Sequence, residues 1–364
     1  MVYVRRPPLI IMKHPVIRFG YFFVLLFFLP GICYAAQQKD KKPELRPDGI
    51  VLHSINCPGP GGALKGKNNG DASLNYHFLV RKDGTVISGK PEKAIIPHIG
   101  NRFVGRSLSV MLEGDFDEKN QFSIRQPLAP GLPGKQREAL TGLLFSLMKK
   151  HNIPLSQIER HIDNNEEIDC PGADFPYFDL LFSMAEKMIK DAGKPVLSEI
   201  CKSKKIKIPI DNAKIVIIKS KSRLELYSGD TLLKTYRAGF SDPKGDKLRK
   251  GDCKTPVGSF CICEKYPMRA WMELSYPDEP HAKKALAKKI IDKKTYDKIN
   301  EKSASGGIPQ HATQMGYDVG IHAGGYPYGK MKPDTTAGCI ALEDPEAFEL
   351  YNAVPVGSEV VVRE

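Results

Sequence analysis

The sequence predicts two domains of different class. An α/β domain, with a mixed sheet and flanking helices, is followed by a mostly β domain carrying a helical insertion. Three observations lead there. The chain has 364 residues, long for a single hydrophobic core. Up to about residue 190, short apolar runs alternate with segments of helical period, and from Lys214 onward strand-like runs dominate. Between them, residues 193–212 lose periodicity and gain lysine, as a linker does. The domains are therefore expected at 45–192 and 213–364.

The first residues carry an address. Arg5, Arg6, Lys13 and Arg18 precede the apolar run Tyr21–Leu29, "YFFVLLFFL", which is too short to span a bilayer. Cys33 and Ala35 then stand as small residues before a cut at Ala36. Basic, apolar and small-residue segments in that order read as a secretory signal peptide over 1–35, with Met12 as the suspected true start. An uncleaved anchor is the alternative. Bulky Ile32 argues against lipid modification of Cys33. Cleavage leaves about 329 residues, ample for two domains.

Along the first domain, "GIVLHS" and "YHFLVRKDGTVI" read as strands, the second pair turning at Asp83-Gly84. "SLSVMLEGD" is another strand. "GKQREALTGLLFSLMKKHN" places Leu140, Leu143, Leu144, Leu147 and Met148 at helical spacing, and "FPYFDLLFSMAEKMIKDAG" is a second helix. In the second domain, "KIVIIKSKSRLELYSGDTLLKTYRAGFS" reads as strand, hairpin, strand. "PHAKKALAKKIIDKKTYDKINEKS" is a lysine-rich helical insertion, and "GSEVVVRE" is a closing strand.

The net charge of +12 is compatible with nucleic acid. The signal peptide and the lack of an aromatic-basic groove motif weigh against it, and no nucleic-acid partner is expected. An anionic cell envelope suits an exported basic protein better. Of eight cysteines, Cys33 leaves with the signal peptide. The remaining seven are too few for a disulfide scaffold, and their odd number leaves at least one thiol unbridged. Cys261 and Cys263, two apart on a strand, suit core packing or bridging better than a second metal site.

Cys339 follows Gly338 in a glycine-bracketed bend, and His322 ends the apolar strand "DVGIHAGG". A thiol becomes a nucleophile with a base beside it and backbone N–H groups aimed at the developing oxyanion. "RKGDCKTPVGSFCI", "WMELSYPDEPHAKKAL", "GIHAGG" and "TTAGCIALEDPEAFELYNAVPVGSEVVV", in that order, resemble the L,D-transpeptidase (YkuD-like) catalytic domain over about 214–364. The resemblance implies a β-sandwich, with Cys339 as nucleophile, His322 as its base and Gly338 at the oxyanion site. Thr336-Ala337-Gly338-Cys339 lacks the second histidine many members carry. Trp271 could line the groove or pack as an ordinary buried aromatic.

In the first half, His53 ends the strand "GIVLHS", and His161 and Cys170 lie in "ERHIDNNEEIDCPG". Two imidazoles and a thiolate with an open fourth position are the pattern of catalytic zinc. "IVLHS", "NYHFLVRKDGTV", "PHIGNRFVGRSLSVMLEGD" and "ERHIDNNEEIDCPGADFPYFDL" resemble the zinc N-acetylmuramoyl-L-alanine amidases of the peptidoglycan-recognition-protein and phage lysozyme-type fold. The resemblance implies zinc on His53, His161 and Cys170, an oxyanion-stabilising role for Tyr76, and a groove-lining His98. Met111 stands where one branch has a catalytic glutamate. Glu113, two residues on, shares its strand face by period and is a substrate-binding candidate. Ile168 replaces a frequent lysine.

Together these resemblances imply an exported, bifunctional peptidoglycan enzyme of periplasm or cell wall. Its zinc amidase would cut the muramoyl–L-alanine bond, and its cysteine domain would act on stem peptides. The rival is a wall-binding protein whose weak amidase half anchors one active domain.

Overall fold

Side chains alternate across a strand, and that alternation divides Gly49–Ser54 (β1) between two different environments. Ile50 and Leu52 enter the apolar core, while Val51 and His53 face the other way. The computed structural model describes residues 44–55, 76–96, 105–114, 116, 132–163, 170–172, 174–241, 244–304, 313–316, 318–332 and 336–364. The signal-peptide segment, Cys57, His98 and Ile168 lie outside these residues. Among the described residues no helix is long and apolar enough to cross a membrane.

Beside β1 lie β2 (Phe78–Val80), β3 (Val86–Ser88), β4 (Ser107–Leu112) and β5 (Ile158–Arg160), in the order β3-β2-β4-β1-β5. Only the β2–β3 pair is antiparallel, joined by the expected turn with Gly84 at φ 91°. The sheet is mixed, as expected. Helix α1 (Gly134–His151) covers its core face with Leu140, Leu144, Leu147 and Met148. Its Gln136 amide donates to the Val80 and Glu113 carbonyls, tying the helix start to β2 and to the residue that follows β4. Asn152 ends it in the left-handed conformation after Lys149, Lys150 and His151, a favourable last turn for the helix dipole. Helix α2 (Tyr177–Asp191) buries Leu180, Leu181, Met184 and Ala185.

The segment 193–212 departs from the expected linker. It contains a short helix, α3 (Leu197–Ser203), with Leu197 and Cys201 buried, and the buried Ile210 follows it. The lysines that masked its periodicity occupy the outer face. The Leu197 amide donates to Glu349 at 2.6 Å, and the other oxygen of that carboxylate takes Lys234 and Tyr236.

The C-terminal domain is strand-rich. Strands β6 (Ala213–Ile218), β7 (Arg223–Ser228), β8 (Thr231–Arg237), β9 (Gly258–Tyr266), β10 (Trp271–Leu274), β11 (Gly320–Ala323), β12 (Ile340–Leu342) and β13 (Glu359–Arg363) form one sheet, ordered β12-β11-β10-β9-β13-β6-β7-β8. Gly239, just beyond β8, exchanges two backbone hydrogen bonds with Ala341 of β12, at 2.8 and 3.0 Å. The two ends of the strand order therefore meet. The insertion is two helices, α4 (Glu279–Ala287) and α5 (Lys293–Ala304), separated at Lys289, which has a φ of 56°. Helix α6 (Asp344–Ala353) follows β12, and Lys265 holds its final carbonyls at Tyr351 and Val354.

The two domains lie within one compact unit, Pro43–Glu364. Helix α2 packs on α6, and the rings of Phe178, Phe182 and Tyr351 follow one another at 6.1 and 6.4 Å. Such ring pairs add about 0.5–1.5 kcal/mol each beyond their burial.

Candidate metal centre and cysteine pocket

Parallel register places partners on one face of a sheet. His53 pairs with Met111 and Met111 with Leu79, while Val51 pairs with Ser109 and Glu159. All of these side chains lie on the face opposite the helical core. Strand β5 delivers His161 at its end, and the Ile162 amide bonds the Cys170 carbonyl at 2.9 Å, drawing the later loop back. His53, His161 and Cys170 thereby converge, with ligand atoms within 4.8 Å of one another and all three residues buried. Cys170 Sγ lies 3.8 Å from His53 Nδ1, and the two imidazole rings meet edge to face at 4.7 Å.

This donor set fits zinc. Bonds of about 2.0–2.3 Å from a tetrahedral ion separate nitrogen and sulfur ligands by roughly 3.5 Å, near the 3.8 Å between Cys170 Sγ and His53 Nδ1. Burial lowers the His53 pKa against the opposing pull of Cys170, so its ring is neutral and can donate a lone pair. His53, His161 and Cys170 are thus a possible metal site, brought together as expected.

Tyr76 is buried against Leu79 and Met111, on the His53 side of the sheet. Burial raises its hydroxyl pKa, with Arg81 opposing, so the group is a proton donor at neutral pH. A Cβ on Gly89 would stand 2.5 Å from the Tyr76 carbonyl and 2.7 Å from its ring, so glycine there lets the tyrosine seat. Glu113 takes another course. Its carboxylate accepts the Lys82 amide at 2.9 Å, engaged with the β2–β3 turn. His77 went unnoticed in the sequence. It is a buried strut, donating from Nε2 to the Ala94 carbonyl and accepting the Ser109 amide on Nδ1.

In the second domain β11 and β12 run parallel, with His322 opposite Ala341. Period two puts Cys339 on the same face, and both residues line a cavity of about 270 Å³ with Arg269, Gly324, Tyr326, Thr336 and Ala337. His322 Nδ1 donates to the Ala323 carbonyl at 2.7 Å, which leaves Nε2 with the lone pair. Burial pushes its pKa down to about 4, with Arg269 adding to the effect. The Cys339 thiol donates to the Asp318 carbonyl at 3.3 Å. Burial raises its pKa, opposed by the Gly320 amide, Lys247 and Arg269. The resting pair is a neutral thiol and a neutral imidazole.

Gly338 has φ 134°, and a Cβ there would stand 2.6 Å from the Lys254 carbonyl and 3.2 Å from Lys247 Nζ. Its close approach is therefore to the 247–254 loop. Asp252 organises that loop, accepting the amides of Leu248, Arg249 and Lys254 and the Lys247 ammonium. Thr336 closes the bend on the Cys339 carbonyl at 2.8 Å. Arg269, absent from the sequence reading, donates to the Ala323 and Gly324 carbonyls from a left-handed backbone, and no spacing signal announces it. Trp271 stacks on the His322 ring. Cys261 and Cys263 belong to no metal cluster among the described residues, and no disulfide is present there.

Residues 43–173 match the N-acetylmuramoyl-L-alanine amidase family, and residues 212–362 match the L,D-transpeptidase catalytic domain, YkuD. The endolysin of Escherichia phage T7 is 32% identical over 85 residues, 23% of this chain and 52% of that protein. The endolysin of Enterobacteria phage K11 is 32% identical over 108 residues, 30% of this chain and 65% of that protein. The chain thus spans about half to two thirds of these relatives. Among solved structures, the amidase LysC from Clostridium intestinale is 26% identical, covering 38% of this chain and 87% of its own, with a TM-score of 0.29. The helical cell shape determining protein Pgp2 from Campylobacter jejuni is 22% identical, covering 46% and 54%, also with a TM-score of 0.29.

Proposed function

We propose, from a chain that joins an N-acetylmuramoyl-L-alanine amidase domain to an L,D-transpeptidase catalytic domain, that it is an exported, bifunctional enzyme of peptidoglycan remodelling. The observation that carries the reading is the pairing of a convergent His53–His161–Cys170 donor set with a separate Cys339–His322 pocket in one polypeptide.

His53, His161 and Cys170 would hold the zinc. Zinc so held supplies Lewis acidity toward an amide carbonyl and acidifies a water at its open position. Tyr76 donates its hydroxyl hydrogen to the carbonyl oxygen of the muramoyl–L-alanine amide as charge builds there. The buried face around Met111 and Leu79 excludes bulk water from that oxygen.

At the second site the thiol and imidazole are neutral until substrate arrives. As Cys339 sulfur bonds a stem-peptide carbonyl carbon, its proton passes to His322 Nε2. Backbone N–H groups around Gly338 receive the oxyanion. The C–N bond breaks, the amine leaves with the proton from His322, and a thioester is left. An acceptor amine or water, deprotonated by His322, attacks the thioester and the sulfur recovers its proton. Arg269, whose side chain lines this pocket, favours an anionic stem peptide there.

A second reading has the N-terminal domain bind wall without turning it over. Met111 beside His53, where a glutamate would serve as base, favours it. Mass spectrometry of muropeptides incubated with the purified chain tests both. Free stem peptides and exchanged or trimmed peptides support bifunctionality; a lack of amide cleavage alongside peptide products supports the second reading.

A further inference from the structure

The loop after β11, residues 324–330, supplies Gly324 and Tyr326 to the wall of the cysteine pocket. Its own domain holds it only in part. Asp344, the first residue of α6 and 1% exposed, accepts the Gly325 amide on Oδ1 at 2.8 Å. Its Oδ2 accepts the Ser156 amide, also at 2.8 Å, and Ser156 belongs to the turn Leu155–Gln157 of the N-terminal domain. Two outer contacts follow the same line. Lys194, beyond α2, pairs with Glu346 at 2.8 Å and lies 5.0 Å from the Tyr328 ring centroid. Lys330 Nζ reaches Asn152 Oδ1 at 3.2 Å.

A buried carboxylate is held in place by the donors that solvate it, and it holds them in return. Here the donors are backbone amides of two domains, one of them that of Gly325, between the pocket-lining Gly324 and Tyr326. We infer that Asp344 is a positioning residue for the cysteine pocket, and that the N-terminal domain is a structural part of that pocket. The inference rests on the cysteine chemistry proposed above. Asparagine at 344 keeps the volume but turns an NH₂ group toward one of the two amides, so one bridge is lost.

The test uses the full mature chain. Asp344→Asn is compared with wild type for thermal midpoint, release of stem peptides from glycan, kcat and KM of peptide exchange, and the rate of Cys339 labelling by iodoacetamide. A shift of the wall of about 1 Å costs up to roughly 100-fold in rate. The expected result is exchange kcat/KM lowered about 10- to 100-fold, altered labelling, and amide release within twofold of wild type. Lys194→Ala with Lys330→Ala, at exposed positions, should move exchange and labelling the same way by a smaller factor and keeps the test alive if Asp344→Asn does not fold. A lowered midpoint with exchange and labelling unchanged reduces Asp344 to a helix-starting residue and overturns the inference. Should wild type itself perform no exchange, the functional reading falls, and the labelling comparison alone decides the role of Asp344.

Discussion

The imidazole of His322 lies flat on the indole of Trp271, with ring centroids 5.2 Å apart and planes 9° from parallel. The stack covers one face of the ring, and the Ala323 carbonyl fixes Nδ1, so rotation and solvation are both restricted. Burial is the main reason its pKa falls to about 4. A base with a depressed pKa is neutral, and able to accept a proton, at every pH above that value. In Trp271→Leu the ring regains water and its pKa climbs toward the ordinary ~6.5. The acid limb of kcat/KM for peptide exchange should move upward by one to two pH units, with activity near pH 7.5 less affected. An acid limb that stays in place in the pH–rate profile would show that the indole does not control the base.

The state of the thiol gives a second expectation. Cys339 has its pKa raised by burial, the Gly320 amide, Lys247 and Arg269 only partly compensating. Alkylation of the free enzyme should be slow at pH 7 and keep rising beyond pH 8.5, the ordinary thiol value being ~8.5. A labelling rate already flat at pH 6 would signal a resting thiolate–imidazolium pair and contradict the neutral pair described above.

Metal content separates the N-terminal centre from everything else. The protein should bind about one zinc, and His53→Ala combined with Cys170→Ala should lose it with retention of the C-terminal fold. Metal analysis after dialysis, alongside circular dichroism, reads both. Equal zinc in the two proteins removes the assignment. Tyr76→Phe should keep the zinc and lower amide hydrolysis by roughly 10²–10³, the scale of one oxyanion donor.

Alkali should loosen the helical insertion. His281 is buried, which opposes its charge, yet hydrogen bonds to Asp246 and Asp278 outweigh burial and raise it to about 9. Asp246 is correspondingly held below the usual carboxylate range by His281, the Val257 amide and Lys284, against its own burial. A raised histidine contributes stability in full below its unfolded value of ~6.5, and that contribution is lost as pH rises through about 9. The carboxylate contributes above ~3.9 and fades only in stronger acid. The thermal midpoint should therefore fall between pH 6.5 and 9.5, and His281→Gln should flatten that slope. A wild-type midpoint constant over this range defeats the clamp.

The possible metal donors His53, His161 and Cys170 were legible through the resemblance of the motifs that carry them, since each histidine taken singly reads as an ordinary residue. Cys339 and His322 were legible in the same way, their spacing weak by itself and the four ordered motifs around them carrying the resemblance. The Asp83-Gly84 turn and the first two helices followed from period and turn chemistry. What escaped the sequence is non-local. Asp344 reads as an ordinary helix start, and its partners lie at positions 156 and 325. Helix α3 buries only Leu197 and Cys201 in seven residues, too short a period to stand out from its lysines. Glu113 obeyed the strand period, yet β4 ends at Leu112, so its carboxylate turned to a neighbouring amide.

Closure of the C-terminal sheet through Gly239 and Ala341 has its own outcome. Strand β12 comes first in the strand order, a position that normally exposes a row of unsatisfied amides to passing chains. Here Ala341 is paired with His322 on one side and with Gly239 on the other. A three-residue strand bonded on both flanks offers no template for fibre growth. Its amide protons should also exchange with solvent as slowly as those of the central strands, keeping the segment beside Cys339 among the last to open.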